Sequence, residues 1–154
     1  MVSFWSILMW IHLVGLTMCV GLATAKVVLL VKCYRDVTFI PAYLKVVKPL
    51  TQILVLGLIF MTLTGIIWLI MGYGFSNTMI VKLVLVAVVW VLGILIDKVT
   101  EPKFIKLAPV KGEAATPDFV RIQKRHLALE SIAAMVFYIL IIICLLYTSP
   151  SPRD

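Results

Sequence analysis

The sequence has no Gly-rich phosphate loop, no zinc-type cysteine spacing and no Ser/His/Asp arrangement at a plausible depth. Phosphate cradling, zinc-finger folding and triad hydrolysis are thereby excluded, and with them the common soluble-enzyme classes. Cysteine is scarce: Cys19, Cys33 and Cys144 have no spacing partners, so no disulfide framework is indicated. Only two histidines occur, His12 and His126. The formal charge of +7 would suit nucleic acid, but the basic residues lie in the wrong places for it. Four fall between Lys32 and Lys48 and seven between Lys98 and Arg125, the distribution of a membrane-topology signal. No nucleic-acid partner is expected. What is abundant is apolar: 63% of 154 residues, with mean hydropathy +1.14. A soluble chain of this size has no interior large enough to hide that surface, so a single integral membrane domain in a lipid bilayer is expected.

Four apolar runs predict four membrane-crossing helices, at about 4–31, 49–71, 78–96 and 118–143; about 20 apolar residues suffice for one crossing. The fold class is all-α, a polytopic four-helix up-down-up-down bundle without internal repeats. Ala23-Thr24-Ala25 resembles a signal-peptide cleavage site, but no basic segment precedes the first run, which continues apolar to Val31. It therefore reads as a span. Positive-inside logic places both basic connectors in the cytoplasm and both termini outside.

The first run is unusual in what it keeps. Stepping by three or four residues collects Trp5, His12, Gly15, Cys19, Ala23 and Lys26 on one face. A small, polar face among Leu, Val and Ile belongs toward a bundle interior. The first connector, Lys32 to Lys48, reads as an interfacial segment, with Pro49 in the first turn of the second helix. Gly57, Met61, Thr64, Gly65 and Trp68 form a stripe inside that helix. Asn77 or Thr78 suits the N-cap of the third helix. The connector from Asp97 to Pro117, with Lys98, Lys103, Lys106, Lys111, Pro102, Pro109 and Gly112, reads as too polar and broken to be buried. Thr116-Pro117-Asp118 is an N-cap, a first-turn proline and a first-turn acid, so the last helix starts there. Its basic stretch puts His126 at the cytoplasmic edge, with Glu130 one turn further in.

Depth sorts the rare polar groups into two layers. His12 and Lys82 lie roughly 12 Å and 6 Å below the outer ends of their helices, at about 1.5 Å per residue. They can share an outer cavity walled by Met9, Met61, Thr64, Trp68 and Met79. Lys26, Asp97 and Glu130 fall in the inner half, where Glu130 can pair with Lys26 and not with Lys82. Each group also has an ordinary role: lysines snorkel, a carboxylate neutralises a lysine, an imidazole bonds a threonine, and Gly15-Cys19-Ala23 packs helices.

Two chemistries suit a deep imidazole among thioethers and a thiol. Cu(I) takes soft sulfur and accepts imidazole, so His12 with Met9, Met18, Cys19 or Met61 offers transient sites. Haem b takes an axial imidazole, and a four-helix interior can house it. His126 at the edge disfavours a bis-histidine haem.

HLVGLTMCVGL in the first helix resembles the H-[LI]-x-[AG]-x-x-x-W-x-G-G opening of four-helix membrane proteins related to copper resistance protein D (CopD). IVKLVLVAVVWVLGILID resembles that family's L-K-L-x-L-V segment, carrying over Lys82, Leu83 and Gly93. RIQKRHLALESIAAMVFYIL resembles its R-R-S-V-x-x-E stretch, carrying over Arg125, His126 in place of the usual Ser, and Glu130. The usual first-helix Trp is Met18 or Cys19 here. The protoporphyrinogen oxidase family HemJ is similar at His12 and Lys82, and the fourth-helix match favours CopD. The CopD resemblance implies copper uptake or resistance at a bacterial-type inner membrane, by a multi-pass protein that binds or moves the ion. The HemJ resemblance implies a haem b protein oxidising a porphyrinogen. A cofactor-free structural bundle is the third expectation, and a homo-oligomer is compatible with all three.

The last eleven residues, CLLYTSPSPRD, resemble a translated sequencing-library adapter. The native domain is accordingly expected to be 1–143, with 144–154 foreign.

Overall fold

The computed structural model describes residues 3–71, 76–109 and 114–147, and all regular structure among them is helical. Helix α1 spans Phe4–Arg35, a short 3-10 turn Val37–Phe39, α2 Ile40–Ile70, α3 Asn77–Leu95, α4 Glu101–Leu107 and α5 Pro117–Tyr147. Four helical stretches are long and apolar enough to cross a membrane: Phe4–Arg35, Val37–Ile70, Asn77–Leu107 and Pro117–Leu146. Val84, Val91, Ile94 and Met135 are exposed on their outer faces, as helices surrounded by lipid require.

Local chemistry sets the ends. Trp5 N–H donates to the Ser3 hydroxyl at 3.3 Å and starts α1. Asp36 accepts from the backbone N–H and hydroxyl of Thr38, at 2.9 and 2.6 Å, and turns the chain into α2. Phe119 N–H donates to Thr116 at 3.2 Å, as the Thr-Pro-Asp motif foretells. The cap of α3 is Ser76, which accepts from Met79 N–H at 3.3 Å, rather than Asn77 or Thr78.

Two boundary expectations are corrected. First, α2 begins at Ile40, so Pro49 lies inside the helix and Pro41 takes the first-turn position. Two prolines competed for one role, and Pro41 has the buried pair Ile40 and Tyr43 beside it. The 32–48 stretch is therefore largely helical. Second, the Asp97–Pro117 stretch is not an exposed connector at its start. The helix continues through a π turn, Ile96–Thr100, into α4. Pro102 has no N–H for the carbonyl one turn back, and the wider π turn just before it absorbs the mismatch. Ile96, Thr100, Glu101 and Phe104 are buried while Lys98, Lys103 and Lys106 point out, so the basic residues occupy one face of an amphipathic helix. His126, expected at the cytoplasmic edge beside Arg125, is fully buried within the bundle. Lys111 and Gly112 lie outside the described residues, as does the expected foreign tail beyond Tyr147; Cys144 to Tyr147 continue α5.

Helix α1 packs against α2 and α5, and α5 against α3. The α1–α2 crossing needs two glycines. A Cβ on Gly15 would stand 2.7 Å from the Gly57 carbonyl oxygen, and one on Gly57 2.9 Å from the Gly15 carbonyl oxygen. These backbones touch, which is the close approach that small residues allow in lipid. One apolar cluster, including Leu16, Cys19, Leu58, Met61, Val89 and Phe137, fills the half toward Gly15. Another, with Leu30, Cys33, Ile40, Tyr43, Phe104 and Phe119, fills the end toward α4. The seam between α2 and α3 stays open, and two cavities lie along it.

Candidate functional site

The cavity nearer the start of α1, the outer cavity, is about 120 Å³ and is lined by Met9, His12, Met61, Trp68, Met79, Lys82 and Cys144 among others. The His12 ring is positioned twice. Nδ1 meets the Thr64 hydroxyl at 2.7 Å, and the ring packs on Trp68 with centroids 5.1 Å apart. The Thr64 hydroxyl donates to the Phe60 carbonyl at 2.7 Å, one turn back on its own helix. Its hydrogen is thus committed, so the hydrogen-bond network assigns the ring proton to Nδ1 and leaves Nε2 with a lone pair for a ligand. A bonded imidazole would be inert in a sealed core, but this one has open space beside it.

The cavity nearer α4, the inner cavity, is about 390 Å³ and is lined by Lys26, Thr51, Gln52, Asp97 and Glu130 among apolar side chains including Leu58 and Trp90, with Gly93 beside them. Trp90 indole N–H donates to the Thr62 hydroxyl at 3.2 Å, a bridge from α3 to α2 on the seam; Trp90 lines the inner cavity and Thr62 the outer. Deep in the inner site Lys26, only 2% exposed, forms an ion pair with Glu130. Its Nζ also stands 3.7 Å from Glu101 and donates to the Thr51 hydroxyl at 3.0 Å. His126 completes the group: its Nδ1 lies 3.1 Å from the Thr100 hydroxyl, and its ring stacks on Phe104 at 5.3 Å and 24°. Among the described residues, His126 Nε2 has no hydrogen-bond partner.

The structure therefore brings His12, Met9, Met61 and Lys82 to one cavity, and Lys26 and Glu130 to another, where they pair. Cys19 joins neither lining. It packs at the α1–α2 crossing with its thiol 3.6 Å from the Leu54 carbonyl oxygen. Gly15 serves the crossing, and Gly93, with nothing within 4 Å of an added Cβ, borders the inner cavity. Glu101, Thr100 and the inward role of His126 escaped the sequence reading. The usable signal was the helical spacing Ile96-Thr100-Phe104 running on past Asp97, together with His126 and Glu130 four residues apart on one face.

Chemically, the outer site offers imidazole and thioethers beside an ammonium. The inner offers carboxylates and imidazole around another ammonium. No protein-family profile, no curated protein and no solved structure matches this chain.

Proposed function

We propose that this is a CopD-like multi-pass protein of a bacterial-type inner membrane that binds or translocates copper ions, in an up-down-up-down bundle with both termini outside. The observation that carries the reading is the outer cavity: an imidazole held by Thr64 with the thioethers of Met9, Met61 and Met79 on the same walls. Soft sulfur with imidazole is the donor set of Cu(I). A cavity of about 120 Å³ suits an ion with a few ligands; small-molecule sites begin at about 300 Å³. Cys19, expected as a further soft donor, is sealed at the α1–α2 crossing and lines neither cavity, so the ligand set rests on His12 and the methionines. Passage needs several weak sites rather than one tight one, and scattered sulfur ligands meet that need. Lys82 on the same wall shapes the field for the cation, and Lys26 with Glu130 holds the opposite half.

One observation favours a second reading. Lys82 beside His12 would suit a haem propionate or a substrate carboxylate, as in a HemJ-like porphyrinogen oxidase with haem b on His12, although the cavity of about 120 Å³ would have to widen to admit the macrocycle. The optical spectrum of detergent-purified protein, followed by elemental analysis, separates the two. The copper reading expects no Soret band and bound copper that falls in His12→Ala. A Soret band lost in His12→Ala would replace copper with haem. Equal copper in wild type and variant, with no Soret band, would leave a structural bundle.

A further inference from the structure

Lys26 supplies one positive charge against two buried carboxylates, Glu101 and Glu130. It meets Glu130 directly but stands 3.7 Å from Glu101, beyond hydrogen-bond reach. Such a cluster by itself implies no ligand. The independent sign is His126, whose ring is 0% exposed and whose Nε2 is unpartnered among the described residues. The orientation of that nitrogen is fixed by its surroundings. Thr100 commits its hydroxyl hydrogen to the Ile96 carbonyl at 3.2 Å, so Nδ1 carries the proton donated to Thr100 and Nε2 keeps its lone pair. An imidazole whose second nitrogen donates to a fixed acceptor is the usual outer-shell arrangement of a metal-bound histidine. One donor atom each from Glu101, His126 and Glu130 lies within 4.8 Å of the others. Donors at about 2.0–2.2 Å from a shared ion stand at most about 4.4 Å apart, so these three have to draw together only slightly.

We propose that Glu101, His126 and Glu130 form a metal site, separate from the outer cavity, for a divalent first-row cation that prefers oxygen and nitrogen ligands: manganese, ferrous iron, cobalt or zinc. Lys26 is its internal stand-in, an ammonium that balances the carboxylates when the cation is absent. When the ion enters, the ammonium has another place to go. Lys26 already bonds Thr51, and the Asp97 side chain lines the same 390 Å³ cavity. That cavity, along the seam between α2 and α3, also gives the ion its route to Glu130. Two carboxylates and one imidazole without sulfur do not suit Cu(I). The site shares no ligand with the copper reading, in which Glu130 is only the partner of Lys26, so either stands or falls alone.

The test uses the full chain in detergent, stripped with a chelator and titrated with Mn²⁺, which ignores the three thiols. Loss of the free-ion paramagnetic signal counts bound ions. One Mn²⁺ per chain is expected in wild type. Glu101→Gln and His126→Gln should each weaken binding at least about tenfold, while Met135→Leu on the exposed face of α5 should bind as wild type does. Should the buried variants fail to fold, wild type alone decides: spin-echo spectra of the Mn²⁺ form should carry modulation from one imidazole nitrogen. No Mn²⁺ bound at millimolar concentration, unchanged binding in both folded variants, or no nitrogen modulation would overturn the proposal. None of these results bears on copper at His12.

Discussion

The outer and inner halves of this bundle use one device with opposite surroundings. In each, a threonine gives its hydroxyl hydrogen to a carbonyl one turn back and accepts from a histidine Nδ1: Thr64 with His12 toward the start of α1, Thr100 with His126 toward α4. Each ring also lies on an aromatic neighbour, Trp68 or Phe104. The walls differ. His12 is half-buried among methionines, whereas His126 is sealed among carboxylates and an ammonium. Orientation of a ligand nitrogen and selection of its partner are thus separable: the threonine clamp sets the first, and the softness and charge of the wall set the second.

The charges break the comparison most sharply. Lys26 is buried against two carboxylates, while Lys82 lines an open cavity. Lys26→Met should destabilise the protein by about 3–5 kcal/mol, because it leaves Glu101 and Glu130 uncompensated in a dry interior. Lys82→Met should cost far less and act on ligand binding instead. Equilibrium unfolding in mixed micelles measures both. Equal losses would mean that the two halves are equally dry, and the contrast would fail.

The clamps come next. Thr100→Val leaves a sealed Nδ1–H without an acceptor, with an expected loss of about 1–3 kcal/mol. Thr64→Val removes a bond in a half-open site, about 0.5–1.5 kcal/mol. On the copper reading the second change also weakens copper at His12 by about 10–100-fold, because the ring loses its orientation. The same two unfolding curves and a copper titration report these effects. A larger stability loss from Thr64→Val than from Thr100→Val would reverse the assignment of which site is sealed.

Much of this arrangement was legible in the residues, for identifiable reasons. The four long helices follow from apolar runs whose length has one use in lipid. Of the face through Trp5, His12, Gly15, Cys19, Ala23 and Lys26, the last four are buried as the spacing implies, His12 is half-buried and Trp5 is exposed; Glu130 meets Lys26. What failed was reading charge as exposure. Lys98, Lys103 and Lys106 are outward on a helix whose other face buries Thr100, Glu101 and Phe104. Pro102 suggested a break where a π turn keeps the helix going. Adjacency to Arg125 says nothing of His126's surroundings, because Lys124 and Arg125 are exposed and His126 is not. Cys19 shares a helix face with His12, yet the Gly15–Gly57 crossing closes around it.

The smallest effect sharpens the comparison by lying outside both halves. Asp36, at the fully exposed turn between α1 and α2, has its carboxyl held below the usual carboxylate range, chiefly by the Thr38 hydroxyl and then by the Thr38 backbone N–H. A depressed folded value means that its contribution is fully present above the unfolded value, about 3.9, and is lost as pH falls through the folded value. Asp36→Ala should therefore lower the unfolding midpoint slightly at pH 6, and the gap from wild type should close below about pH 4. A gap unchanged down to pH 3 would show that the bond geometry rather than the charge stabilises the turn. An acid transition that survives in Asp36→Ala has another source, and its absence from Lys26→Met would place that source among the carboxylates around Lys26.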